Sequence, residues 1–70
     1  MYRNYDVKIK KVDADKVRDI LTNRENIGDI DRWRFSRWDE NTLLCSITPI
    51  VSDDLEAIMD EFKEAGIQVL

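Results

Sequence analysis

One run of strict two-residue alternation, Asp31–Ile50 (DRWRFSRWDENTLLCSITPI), constrains this chain more than any other feature. Alternation of that kind marks strands with one buried face. In the first arm Trp33 and Phe35 share a face, with Asp31 and Arg37 at its ends, while Arg32, Arg34, Ser36 and Trp38 share the other. In the second arm Leu43, Cys45 and Ile47 oppose Thr42, Leu44, Ser46 and Thr48. A turn at Asp39-Glu40-Asn41, with Asn41 suited to a left-handed position, joins the arms into a hairpin. That loop sets Trp38 against Thr42, Phe35 against Cys45 and Trp33 against Ile47. Slipping the pairing by one residue would set Trp33 and Phe35 against polar partners, which a one-sided sheet does not allow. The hairpin therefore specifies its own register. Pro49 ends the ladder or marks a bulge.

The flanking segments read as elements that pack on or pair beside this hairpin. Tyr2–Val12 alternates, with Tyr5, Val7 and Ile9 facing the core and Asp6, Lys8 and Lys10 facing out. Asp13 is placed as a helix N-cap, and Val12 with Val17 is spaced as a hydrophobic staple. Ala14, Val17, Ile20 and Leu21 form the apolar stripe of a first helix. Its pattern fades at Thr22-Asn23, so Arg24–Asp29 reads as a loop with Gly28 in it and with Ile27 and Ile30 tucked into the core. Ser52-Asp53-Asp54 opens a second helix with Leu55, Ile58, Met59, Phe62 and Ala65 at helical spacing. Gly66 follows as the residue after the C-cap, with Ile67 placed to touch Phe62, and Ile67–Leu70 reads as a short last strand. The order β-α-β-β-α-β predicts an α+β, ferredoxin-like fold. It has a four-stranded antiparallel sheet of order 4-1-3-2 with two helices on one face.

Seventy residues make a single domain, 1–70, and an apolar fraction of 43% with clear periodicity argues against disorder. The single cysteine, Cys45, falls on an inward strand face; it reads as a core residue and permits neither an intrachain disulfide nor a cysteine cluster. With no histidine, no glycine-rich phosphate loop and only isolated carboxylate pairs, nothing assembles a nucleophile, a base and an oxyanion donor. The expectation is a non-enzyme with no metal and no cofactor. Without a signal peptide, lipidation motif or membrane-length apolar run, the expected compartment is the cytoplasm, away from membranes.

Charge is unevenly spread within a net −4. The sheet face away from the helices gathers Lys8, Lys10, Arg32, Arg34 and Trp38 around Leu44, whereas the second helix carries Asp53, Asp54, Glu56, Asp60, Glu61 and Glu64 against Lys63. Arginines at 32, 34 and 37 on an edge strand also discourage edge-to-edge aggregation, and acids in a helix's first turn suit its dipole. Glu64 lies at the wrong end for that benefit. An indole and a leucine among arginines is a typical contact-patch composition.

Several families share this strand order. RNA-recognition motifs need stacking aromatics on the central strands, and TLLCSITPI has none. Metal-carrying domains of this plan need paired cysteines near the first helix, and acylphosphatase-type sites need a glycine-rich anion loop there; Lys11–Lys16 supplies neither. The chain most resembles ACT-type regulatory modules, through NIGDI before the second strand and the closing LEAIMDEFKEAGIQVL, although it lacks the Pro-Gly often found before their first helix. That resemblance implies small-molecule sensing at a dimer interface. The residues themselves point first to a binding or regulatory module whose site is Lys8, Lys10, Arg32, Arg34, Trp38 and Leu44. Its partner would be another protein or a second copy, as in a homodimer. The acidic second helix offers a different surface, fit to occupy a basic partner. Nucleic-acid binding through the basic face is the alternative, disfavoured by the net charge.

Overall fold

The structure, a computed structural model, describes residues 2–70 and is α+β: two helices packed on a three-stranded antiparallel sheet. Strand β1 (Tyr5–Lys10) leads through a 3₁₀ turn into helix α1 (Ala14–Asn26). Strands β2 (Ile30–Arg37) and β3 (Thr42–Pro49) form the hairpin, and helix α2 (Asp54–Glu64) follows. Sheet order is β1-β3-β2, so the second hairpin arm is central. The register is the expected one, with Trp33 opposite Ile47 and Phe35 opposite Cys45. On the other side of β3, Tyr5 pairs with Ile47, Val7 with Cys45 and Ile9 with Leu43.

One residue breaks the alternation of β2. A bulge between Ile30 and Arg32 leaves Asp31 as the extra residue, opposite the Thr48–Pro49 end of β3. Without it Ile30 would share the outer face with Arg32. With it, Ile30 is drawn into the core at 2% exposure and Arg32 stays outside. Asp31, expected beside Trp33, is exposed instead.

The core joins both helices to one sheet face. Val17 and Leu21 of α1 and Ile58 and Phe62 of α2 cluster with Ile9, Cys45 and Ile47. Trp33 and Phe35 pack at its margin, edge to face with ring centroids 5.3 Å apart. Helix α2 ends as the sequence predicts. Gly66 sits at φ 79° and donates to the Lys63 carbonyl (3.1 Å), while the Ile67 N–H donates to Phe62 (2.9 Å).

Several expectations need correction. Helix α1 runs through Asn26, so of the expected loop Arg24–Asp29 only Ile27–Asp29 is a turn, and the helix closes with the same motif as α2. Gly28, at φ 90°, donates to Glu25, and the Asp29 N–H donates to Arg24 (2.9 Å). Where Ile67 and Phe62 make an apolar contact in such a motif, α1 has an ion pair, Arg24 Nη1 to Asp29 Oδ2 at 3.1 Å. Ile27, just before the left-handed glycine, points into solvent at 65% exposure. Val12 is 85% exposed, because the 3₁₀ turn Lys11–Asp13 carries it away from Val17. Neither Asp13 nor Asp53 makes a capping side-chain hydrogen bond. Asn41 is not left-handed; its N–H donates to the Asp39 carboxylate (2.9 Å), which closes the turn without positive φ.

The remaining correction concerns the last strand. Ile67–Leu70 supplies only a bridge, Val69 antiparallel to Ile9, plus the Leu70 N–H donating to Lys8 (2.9 Å). The C-terminal lock of α2 explains this. It commits the Ile67 N–H to Phe62 and buries the Ile67 side chain, so pairing with β1 starts only at Val69.

Arg24 joins three elements. Its Nε donates to Glu61 Oε1 of α2 (2.8 Å) and its Nη1 to Asp29, ahead of β2, with 19% of the side chain exposed. Burial by itself would lower the guanidinium pKa; Glu61 and then Asp29 more than offset this, and the net shift is upward. Arg24→Met is expected to destabilise the fold by about 1.5–3 kcal/mol, the range for hydrogen bonds to charged groups. Urea denaturation measures this, and an unchanged midpoint would refute the clip. Asp39 offers a second check. Chiefly through the Asn41 N–H, its carboxyl is held below its ordinary range, so it stabilises the fold at neutral pH and loses that effect as pH falls through the low-pH carboxylate range. The melting-temperature gap between wild type and Asp39→Asn should therefore close on acidification; a pH-independent gap would contradict it.

Candidate functional site

The sheet face opposite the helices carries all six residues singled out from the sequence. Cross-strand rows on it read Lys8–Leu44–Ser36 and Asp6–Ser46–Arg34, with Thr48 beside Arg32 and Lys10 beside Thr42. Trp38 joins them beyond the end of β2, its N–H donating to Thr42 (3.1 Å). The rows follow directly from the alternation of three paired strands.

Five of the six residues fall into two groups. At the hairpin end the Lys8 ammonium lies 3.9 Å from the Trp38 ring centroid, a cation–π contact, and Leu44 is half-buried in the same region. Trp38 is 54% exposed, but one ring face is taken by Lys8. At the other end Arg32 and Arg34 rim a depression of about 310 Å³, shared with Asn4, Trp33, Ser46 and Thr48. Both arginines are exposed, and neither is in an ion pair among the described residues. Lys10 stands apart, beside a wider groove of about 670 Å³ lined by Lys11, Val12, Asn41, Thr42 and Leu70.

Sequence reasoning put Ser46 and Thr48 on this face but missed their burial, as its polar floor, and their hydrogen bonds. Ser46 and Thr48, 8% and 3% exposed, are the buried polar residues of the central strand. The Ser46 hydroxyl donates to Asp6 Oδ1 (2.7 Å), and the Thr48 hydroxyl donates to Asn4 Oδ1 (2.9 Å). Asn4 Nδ2 in turn donates to Asp6 (3.0 Å). These bonds leave the floor with spent donors, so anion recognition falls to the two guanidinium groups. The signal was present in the pairing of Asp6 with Ser46, but choosing a hydrogen-bond partner needs rotamers as well as register.

The acidic surface lies on the opposite layer. Asp53, Glu56, Asp60 and Glu64 are exposed and have no cation partner among the described residues, while Glu61 is engaged by Arg24. Among the described residues no group of three or more His, Cys, Asp or Glu converges as a metal site, and no helix is long and apolar enough to cross a membrane. Comparison with protein-family models, curated proteins and solved structures found no match.

Cys45 is fully buried beneath the helices, and burial, with a smaller push from Asp6, raises its thiol pKa to about 12. The thiolate is the reactive form. Iodoacetamide at mildly alkaline pH should therefore modify Cys45 only as fast as the fold opens, with denaturant accelerating the reaction. Rapid labelling of the folded protein would contradict this placement.

Proposed function

We propose that this protein is a small non-enzymatic binding module of ferredoxin-like plan, acting through its open sheet face on a protein partner that presents carboxylates. The observation that carries the reading is the Arg32–Arg34 pair: two exposed guanidinium groups, unpaired among the described residues, at the rim of one depression. Guanidinium forks match carboxylates in a bidentate geometry. The fold assignment is supported by the β1-β3-β2 order and by Val69 bridging the outer edge of β1, where a fourth strand of this plan would lie. A cytoplasmic setting goes with the reading, since the lone buried thiol of Cys45 needs no disulfide partner.

The same arginines could meet phosphates, and this makes nucleic acid the second reading. Two observations weigh against it. Lys8 covers a face of Trp38 that a base would need for stacking, and Asp6 sets a carboxylate in the middle of the basic face. A polyanion would also approach against a net charge of −4.

Titration with poly-L-glutamate and with a single-stranded oligonucleotide separates the two. Poly-L-glutamate is expected to bind wild type at low salt and at least about tenfold more weakly to Arg32→Glu/Arg34→Glu, a loss of about 1.4 kcal/mol or more. Tighter binding of the oligonucleotide, falling steeply with salt, would overturn the proposal in favour of nucleic acid.

A further inference from the structure

We infer that the carboxylates received by the open sheet face are those of a second copy of this chain, the outer face of α2 on one molecule seating on the sheet of the next. The inference rests on the reading of the open face as the working surface.

Three features of the molecule converge on it. The first is the arrangement of the acids. Asp53, Asp60 and Glu64 stand seven and then four residues apart, which sets them within about 40° of one another around α2 and spreads them over about 16 Å. All three are exposed and lack a cation among the described residues. Glu64 occupies the last turn beside Lys63, where the helix dipole disfavours an anion, and it forms no ion pair among the described residues. Ala57, exposed on the same outer side, keeps the middle of that face low enough for close approach.

The second feature is the shape of the receiving face. Lys8 and Lys10 on β1 lie beside Leu44 and Thr42 at the hairpin end, and Arg32 and Arg34 on β2 lie beside Thr48 and Ser46 at the other, so the four cations run diagonally across β3. From Thr42 to Thr48 the diagonal covers six strand positions, about 20 Å at the rise of a strand, long enough for the acid stripe of α2. Beneath it lie Leu44, Ser46 and Thr48, none of them charged, and Lys8 also meets the Trp38 ring at the hairpin end. Along that diagonal four cations and Asp6 meet Asp53, Glu56, Asp60 and Glu64. The depression beside Arg32 and Arg34 can admit a carboxylate from the stripe.

The third feature is direction. Helix α2 lies on the core side of the sheet and the receiving face on the other, so the complementary surfaces point away from each other. A two-fold dimer cannot satisfy both contacts at once. The association is head to tail, and each added copy exposes the same pair of surfaces again. Each step is largely electrostatic and therefore weakened by salt.

Sedimentation equilibrium with charge-reversed variants tests this. Wild type should associate progressively with concentration at about 0.01 M salt, where the Debye length is about 30 Å, and be monomeric at about 1 M, where it is about 3 Å. Arg32→Glu/Arg34→Glu keeps its helix and loses its sheet; Asp60→Lys/Glu64→Lys does the reverse. Each alone should be monomeric, and their mixture should associate again, since the acidic helix of one variant meets the basic sheet of the other and the reversed helix meets the reversed sheet. All four positions are exposed, and circular dichroism checks that each variant is folded. A wild type that stays monomeric at low salt overturns the inference, as does a mixture that fails to pair. Association lost in the sheet variant but kept in the helix variant also overturns it, in favour of sheet-to-sheet contact. If poly-L-glutamate still binds a wild type that does not self-associate, the inference fails alone. If neither binding nor association is seen, the reading of the open face fails with it.

Discussion

Everything in this molecule depends on the alternation along β3. As the central strand it pairs on both sides, so each residue fixes the facing of a neighbour on β1 and another on β2. Cys45 and Ile47 turn inward and take Val7, Tyr5, Phe35 and Trp33 with them; Leu44, Ser46 and Thr48 turn outward and set the order of the exposed rows. Core and candidate site are two sides of one register, and a one-residue slip would exchange them. The bulge at Asp31 is the single departure, and it keeps Ile30 in the core when strict alternation would have sent it outside.

This is why so much was legible in the sequence. Hairpin register, the facing of β1, the apolar stripes of both helices and the membership of the outer face all follow from periodicity. The end of α2 was readable because Gly66 is followed by an apolar Ile67 that answers Phe62. The end of α1 was not, although Gly28 carries the same backbone requirement, because Arg24 and Asp29 replace the apolar contact with an ion pair. Ile27 and Val12 were misplaced for a related reason: β-branched apolar residues look interior, but the backbone turns beside them leave them outside. The last segment looked like a strand because alternation does not reveal that the Ile67 N–H is already committed to Phe62.

Within the candidate site the sequence reveals faces and withholds partners. It placed Lys8 and Trp38 on one side, yet their stacking depends on side-chain rotamers. It placed Asp6 outward without indicating that Ser46 and Asn4 both donate to one of its oxygens. Charge followed the same rule. Six acids along the second helix are plain to read, but only the fold separates Glu61, drawn inward to Arg24, from those left facing water. The bipolar character of the molecule survives in its folded form, with a single ion pair between its two helices among the described residues.

The two helices end in the same backbone lock, fastened by opposite chemistries. The lock after α2 is apolar, with Ile67 buried over the helix end; the lock after α1 is ionic, with Arg24 holding Asp29 and Glu61. Salt screens the second kind and spares the first. Warming favours neither in the same way, since apolar burial strengthens from cold to moderate temperature. The two halves of the chain therefore answer to different aspects of their surroundings. Rising salt weakens the ionic hold at Gly28, ahead of β2, and leaves the apolar one at Gly66 in place. A seventy-residue fold with one shared core thus has a weak side chosen by the solvent.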